Sequence, residues 1–190
     1  MWVKGRVHFN IFIHLQKLKG IITMREPITD EEAMALALEQ AKRAQDAGDV
    51  PVGAVVLQEG QVIAAAANRR EADGDPTAHA EIVALREAAA HLGRWRLSDC
   101  TLVVTLEPCF MCAGAVVNAR IGRVVFGALD PKGGALSSLA QVGSDPRLNH
   151  QLEITPKICE DQCSRILRDF FQRRRAEKRA AREAPNHHGE

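Results

Sequence analysis

Residues 101–112 read TLVVTLEPCFMC. Thr101 to Leu106 is a short run of apolar and β-branched residues with the length of a buried strand, and a helix opens straight after it, near Cys109. A strand running directly into a helix is half of a crossover unit, and the flanking sequence supplies the rest. Downstream, Arg123 to Gly127 is a further strand. Upstream, a segment rich in Ala, Leu, Ile and Glu forms a helix from about Ala78 to His91, preceded by a polar loop from Asn68 to Pro76. Before that loop, the apolar runs Gly53 to Gln58 and Gln61 to Ala67 flank Glu59-Gly60, which has the chemistry of a two-residue hairpin turn. Thr29 followed by Asp30, Glu31 and Glu32 offers an N-cap and first-turn acids to a helix over about Asp30 to Ala47, with Met34, Leu38 and Ala41 at helical spacing and a stop at Gly48. A last helix, about Glu160 to Arg182, is apolar at Cys163, Ile166, Leu167 and Phe170 before it turns basic. Strand, helix, strand, helix at this spacing belongs to the α/β class, with helices covering both faces of the sheet.

A chain of 190 residues that is 46% hydrophobic buries one core of ordinary size. Residues 1–23 read as an extension, either a flexible arm or the product of a start codon upstream of Met24, and residues 183–190 as a disordered tail. The net charge is only +1, yet it is unevenly spread. Residues 1–25 carry five basic groups and no acid, and residues 165–182 carry eight basic groups against Asp169 and Glu177. Such segregation suits an end that meets phosphate, as well as a merely solvated helix face. The five cysteines, an odd count that includes a CxxC, favour a reducing compartment and metal or redox use over a disulfide framework. A cytoplasmic enzyme fits. No stretch approaches the roughly 18 apolar residues of a membrane span, and no signal-peptide pattern is present.

The chemistry concentrates in two helix openings. Thr77-Ala78-His79-Ala80-Glu81 begins one helix, and Pro108-Cys109-Phe110-Met111-Cys112 begins the next, after a single intervening strand. Either motif alone is weak, since a lone CxxC is as often a redox pair. Side chains at i and i+2 of a helix point about 200° apart, so such residues converge only beyond the helix end. The spacing therefore predicts a metal off the N-termini of two neighbouring helices, where free backbone N–H groups favour thiolates. One imidazole and two thiolates suit Zn²⁺, one per chain, and leave a fourth tetrahedral position open for water, as catalytic zinc sites do. Glu81, in the same turn as a ligand, is the carboxylate placed to carry protons between that water and a substrate. Cys100, Cys159 and Cys163 read as small apolar core residues.

These motifs resemble the signature of the zinc nucleoside and nucleobase deaminases. More narrowly, Val50 to Val55, Asp75 to Ile82, Thr105 to Cys109, Met111 to Ala115 and Arg120 to Gly127 are similar to the bacterial tRNA-specific adenosine deaminase family, over roughly Thr29 to Arg175. The resemblance implies a three-layer α/β/α deaminase domain over residues 24–182, with a mixed five-stranded sheet of cytidine-deaminase-like fold. It implies a homodimer that converts the wobble adenosine of a tRNA anticodon stem-loop to inosine. It also places Asn68 on the flipped base, Val52 and Leu106 on the pocket walls, and Asp130 and Asn149 on the RNA-facing rim. Phe171 and the Arg173 to Arg175 run would meet anticodon-loop nucleotides. Two rival readings stand beside this: a deaminase of a free base or nucleoside such as guanine or cytosine, and a zinc-stabilised RNA-binding module without chemistry.

Overall fold

The structure is a computed structural model that describes residues 26–183. The expectations for residues 1–23 and for 184–190 lie outside the described residues. Helix α1 (Asp30–Asp46) opens on a capping box. The Thr29 hydroxyl accepts the Glu32 amide at 3.2 Å, and the Glu32 carboxylate accepts the Thr29 amide at 2.8 Å. Strands β1 (Gly53–Gln58) and β2 (Gln61–Ala67) form the expected hairpin. Glu59 and Gly60 both take positive φ, 50° and 71°, as a two-residue turn matched to strand twist requires.

The polar stretch after β2 contains a single helical turn, α2 (Arg70–Asp73), that periodicity did not reveal. Helix α3 (Ala80–Leu92) leads to β3 (Cys100–Leu106), α4 (Phe110–Ala119) and β4 (Arg123–Ala128). After a 3₁₀ turn at Val142–Ser144 comes β5 (Glu153–Thr155), absent from the sequence reading because three residues with one apolar side chain, Ile154, carry no periodic signal. Helix α5 (Glu160–Glu183) ends the described chain, one residue into the segment expected to be tail.

The sheet order is β2-β1-β3-β4-β5, antiparallel across β1 and parallel from β3 to β5. It is mixed and five-stranded, as the resemblance implied. Alternation along the central strands divides the core in two. Leu102, Val104, Val124 and Phe126 pack against α3 and α4 through Ala84, Leu85, Ala88, Ala113 and Val116. Val103 and Val125, on the other face, pack against Met34 and Ala37 of α1 and Cys163 of α5. Every one of these residues is buried, so both faces are covered and the three layers are α/β/α. Arg123 ties the first layer to the sheet edge. Its guanidinium donates to the Asp30 carboxylate at 2.9 and 2.6 Å and to the Thr155 hydroxyl at 3.2 and 2.9 Å.

Candidate active site

His79 is the N-cap of α3 and Cys109 the N-cap of α4. Both have extended backbone, ψ 149° and 174°, and neither side chain caps its own helix, which leaves imidazole and thiol free to project past the helix ends. Cys112, one turn into α4, points back to the same place. His79 Nδ1 lies 3.7 Å from Cys109 Sγ and 3.5 Å from Cys112 Sγ, and the three donor atoms all fall within 4.8 Å of one another. A tetrahedral zinc with ordinary Zn–S and Zn–N bond lengths sets its nitrogen and sulfur ligands about 3.6 Å apart. The donor set and its spacing fit that ion. Among the described residues it is also the one cluster of three or more such donors close enough to share a metal.

The electrostatics follow from the packing. The hydrogen bond from Cys112, the bond to His79 and the Cys112 amide at the helix N-terminus together pull the Cys109 thiol down to about 3, against the effect of its burial. The hydrogen bond to that sulfur, together with deep burial, pushes the Cys112 thiol far up. The hydrogen bond to Cys109 raises His79 in turn, with burial opposing it.

Glu81, in the first turn of α3, is 3% exposed. Burial raises its carboxyl pKa, with the nearby His79 pulling the other way. Its Oε2 is the one fully buried side-chain nitrogen or oxygen among the described residues without a hydrogen-bond partner. An oxygen denied both water and protein partners costs stability, and such atoms are found where a substrate or bound species supplies the missing bond.

Asn68 lies directly after β2. Its backbone N–H donates to the Val52 carbonyl at 2.9 Å, and the next amide, of Arg69, donates to the carbonyl of Ala78 at 2.9 Å. The backbone at Asn68 is thereby joined to Val52 and, through Arg69, to the residue before the N-cap His79, with Leu106 half-buried at the end of β3. Asp130 caps its own loop, accepting the Lys132 amide at 3.0 Å. Asn149 accepts from Arg120 Nη1 at 2.7 Å, and Arg120 is the C-cap of α4. Asn149 is therefore held at the end of α4 away from Cys109, the one expected substrate residue seen to be anchored away from the cluster. Phe171 is 44% exposed and its ring meets that of Phe170 edge-on at 5.4 Å. The core position on this helix belongs to Phe170. Cys159 is only half-buried and precedes α5, so of the pair expected in the core Cys163 alone is fully buried.

Two buried acids were not singled out from sequence. Asp49 accepts the side-chain amide of Asn68 and the backbone amides of Val50 and Glu71. Glu107 accepts the backbone amides of Asp130, Leu136, Ser137 and Ser138 at 2.7–3.1 Å, together with the Ser138 hydroxyl. Burial alone would raise the Glu107 carboxyl, but the Ser138 hydroxyl and these amides outweigh it and hold the group below the usual carboxylate range. Glu107 thus lashes the 130–138 loop to the strand end that delivers Cys109. The Ala135 amide, donating to the Pro108 carbonyl at 2.9 Å, closes the same junction. The legible signal was an acid set between an apolar run and a turn, Gly48-Asp49-Val50 and Leu106-Glu107-Pro108.

The MafB19-like deaminase family matches residues 28–175. A tRNA-specific adenosine deaminase of Bacillus subtilis is 48% identical over 153 residues, which span 80% of this chain and 95% of the relative. One from Haemophilus influenzae is 47% identical over 151 residues, 79% of this chain and 87% of its own. This chain belongs to the tRNA-specific adenosine deaminase family. Solved structures agree with that placement. A tRNA:A34 deaminase studied for A-to-I editing at the wobble position of transfer RNA superposes with a TM-score of 0.69 at 44% identity, covering 72% of this chain and 99% of its own. A guanine deaminase from Nitrosomonas europaea superposes with a TM-score of 0.67 at 27% identity, covering 77% and 86%. The family's fold is therefore shared between RNA and free-base deaminases, and its hydrolytic centre alone does not choose between them.

Proposed function

We propose that this protein is a zinc-dependent hydrolase that converts the wobble adenosine of a tRNA anticodon to inosine, releasing ammonia. The observation that carries the chemistry is the buried, unpartnered Glu81 Oε2 beside three donors spaced for one tetrahedral ion. His79, Cys109 and Cys112 hold that ion, one per chain. When bound, zinc would supply Lewis-acid chemistry that brings the pKa of a water down to about 7. Glu81 takes the proton that the water gives up and passes it to N1 of the ring as oxygen adds to C6. It then takes the proton of the new C6 hydroxyl and gives it to the exocyclic nitrogen, so that the C6–N bond breaks and ammonia leaves as the C6=O bond forms. Burial, by raising its pKa, suits Glu81 to this alternation of base and acid.

Asn68 meets the flipped base, Val52 and Leu106 wall the pocket, and Asp130, Asn149 and Phe171 belong to the RNA-facing surface. The exposed Phe171 ring supports stacking on a nucleotide. A homodimer is supported by the outer face of α3 and α4, where Trp95 is 57% exposed beside Ile82, Leu85, Ala89 and Ala119. Among the described residues no helix is long and apolar enough to cross a membrane. The five free cysteines fit the reducing cytoplasm in which we place the enzyme.

A deaminase of a free base is the second reading, supported by the likeness to the guanine deaminase. Ammonia release from an anticodon stem-loop with adenosine at the wobble position, assayed beside free adenosine, cytidine and guanine, decides between them. The stem-loop is the expected substrate. Release from guanine alone would reject the tRNA reading.

A further inference from the structure

Asp49, between α1 and β1, is buried, and its carboxylate accepts three hydrogen bonds. Oδ1 accepts Asn68 Nδ2 at 2.6 Å and the Val50 amide at 2.8 Å, while Oδ2 accepts the Glu71 amide at 2.8 Å. All of these partners are uncharged N–H groups. An ionised carboxylate accepts and never donates, so the end of the Asn68 carboxamide that faces it is the NH₂ group. Which end of an amide is nitrogen follows from its partners, and here one partner decides it.

The other end is left over. Asn68 Oδ1 has no hydrogen bond within the described residues, yet it is not sealed in the core, because the single fully buried side-chain atom lacking a partner is Glu81 Oε2. The residue adjoins Val52 through one backbone bond and the turn into His79 through the next. The residue that carries this spare acceptor is thus tied by backbone to the turn that leads into the proposed metal ligand.

We propose that Asp49 is a positioning residue that locks Asn68 with its carbonyl oxygen presented to the substrate, so that the site selects an N–H or O–H donor there, such as a nucleoside amine or hydroxyl. This rests on the assignment of Asn68 to the substrate pocket. Through the Glu71 amide the same carboxylate anchors the first turn of α2, which fixes the Asn68 side chain and the loop behind it as one unit. Asn at position 49 has the same shape but can offer its own NH₂ to Asn68 Oδ1, turning the amide round and presenting a donor where an acceptor stood.

The test is a four-variant cycle on the zinc-loaded enzyme: wild type, Asp49→Asn, Asn68→Ala and the double variant, each with zinc content and Tm measured. For the stem-loop RNA, kcat/KM falls by about tenfold or more in Asp49→Asn, with zinc retained, and by no more in the double variant than in Asn68→Ala alone. Losses that multiply in the double variant, as for a carboxylate that only supports the backbone, would overturn the proposal. So would wild-type kcat/KM in Asp49→Asn. The ¹H–¹⁵N spectrum of the wild type provides a measurement that needs no variant. The two side-chain amide protons of Asn68 are widely separated and one is protected from exchange. Two equivalent, fast-exchanging protons would refute the lock. Should the wild type release ammonia from guanine and not from RNA, the functional reading fails, and the same cycle run on guanine measures the Asp49–Asn68 coupling on its own.

Discussion

Gly134 lies so close to the Glu107 carboxylate that a Cβ added to it would stand 2.2 Å from Oε2. No rotamer change relieves this, because Glu107 is held by four backbone amides and a hydroxyl of the loop to which Gly134 belongs. Gly134→Ala must shift the loop, the carboxylate or the bridge between Cys109 and Gly134. We expect it to cost about 2 kcal/mol or more in urea unfolding. Glu107→Gln, which keeps the shape but puts an NH₂ group against backbone donors, should cost a similar amount. Stability within experimental error of the wild type in both variants would contradict this account.

Glu81→Gln separates catalysis from architecture. The amide is isosteric and removes a buried, unpartnered carboxylate oxygen, so Tm should stay level or rise, as is common where a site sacrifices stability for function. Zinc content and RNA affinity should persist, while inosine formation falls by a factor on the order of 100 or more. Turnover at the wild-type rate in this variant would remove Glu81 from the proton-transfer role.

Chelation tests the metal. Carefully purified protein should carry one zinc per chain by elemental analysis. Dialysis against a strong chelator should abolish ammonia release, and added Zn²⁺ should restore it. Cys112→Ala, which removes the deepest of the three donors, should weaken zinc retention by at least the roughly tenfold to hundredfold that loss of a mere supporting contact costs. Full zinc occupancy in that variant would mean that the metal binds elsewhere.

Much of this could be read from the residues alone. The convergence of His79, Cys109 and Cys112 was legible because helix-opening positions constrain direction strongly: residues at an N-cap and one turn inside can share a ligand only beyond the helix end. Helix α1 and the β1–β2 hairpin were legible for a related reason, since capping boxes and two-residue turns are local. The short α2 and β5 were not, as each is too brief to show a period and is held by contacts from elsewhere in the chain. Asp49 and Glu107 were missed because the value of a buried acid lies in which amides surround it, and for Glu107 all four of those amides come from residues 130–138, far along the chain.

Alkaline pH gives a separate check on the α5 side of the sheet. Cys163 is buried against Gly127, and burial pushes its thiol from 9.0 up to about 12. The folded chain therefore holds a proton that the unfolded chain releases above pH 9, so the stability Cys163 contributes is complete below that pH and declines as pH rises toward 12. Cys163→Ala loses packing, at a cost of about 1 kcal/mol at pH 7, but escapes this decline. The stability gap between wild type and variant should narrow between pH 9 and 11 in chemical denaturation. A gap that widens would mean that the thiol ionises more readily in the folded state.

The outer face of α3 and α4 predicts association. Trp95→Glu places a charge in the groove lined by Ile82, Leu85, Ala89 and Ala119 and should convert a dimer to a monomer in sedimentation velocity without loss of zinc. Wild-type protein that sediments as a monomer at tens of micromolar would remove the dimer from the proposal.

The proposed metal ligands, the proposed proton carrier and the residue proposed to read the base all fall between Asn68 and Cys112. The loop lashed down by Glu107, the stretch leading to β5 and the long basic α5 all come later in the chain. A hydrolytic engine so contiguous can be fitted with a different mouth by altering the C-terminal half alone. Swapping residues 129–183 between members with unlike clientele is thus a way to redirect this scaffold while leaving its reactive heart untouched.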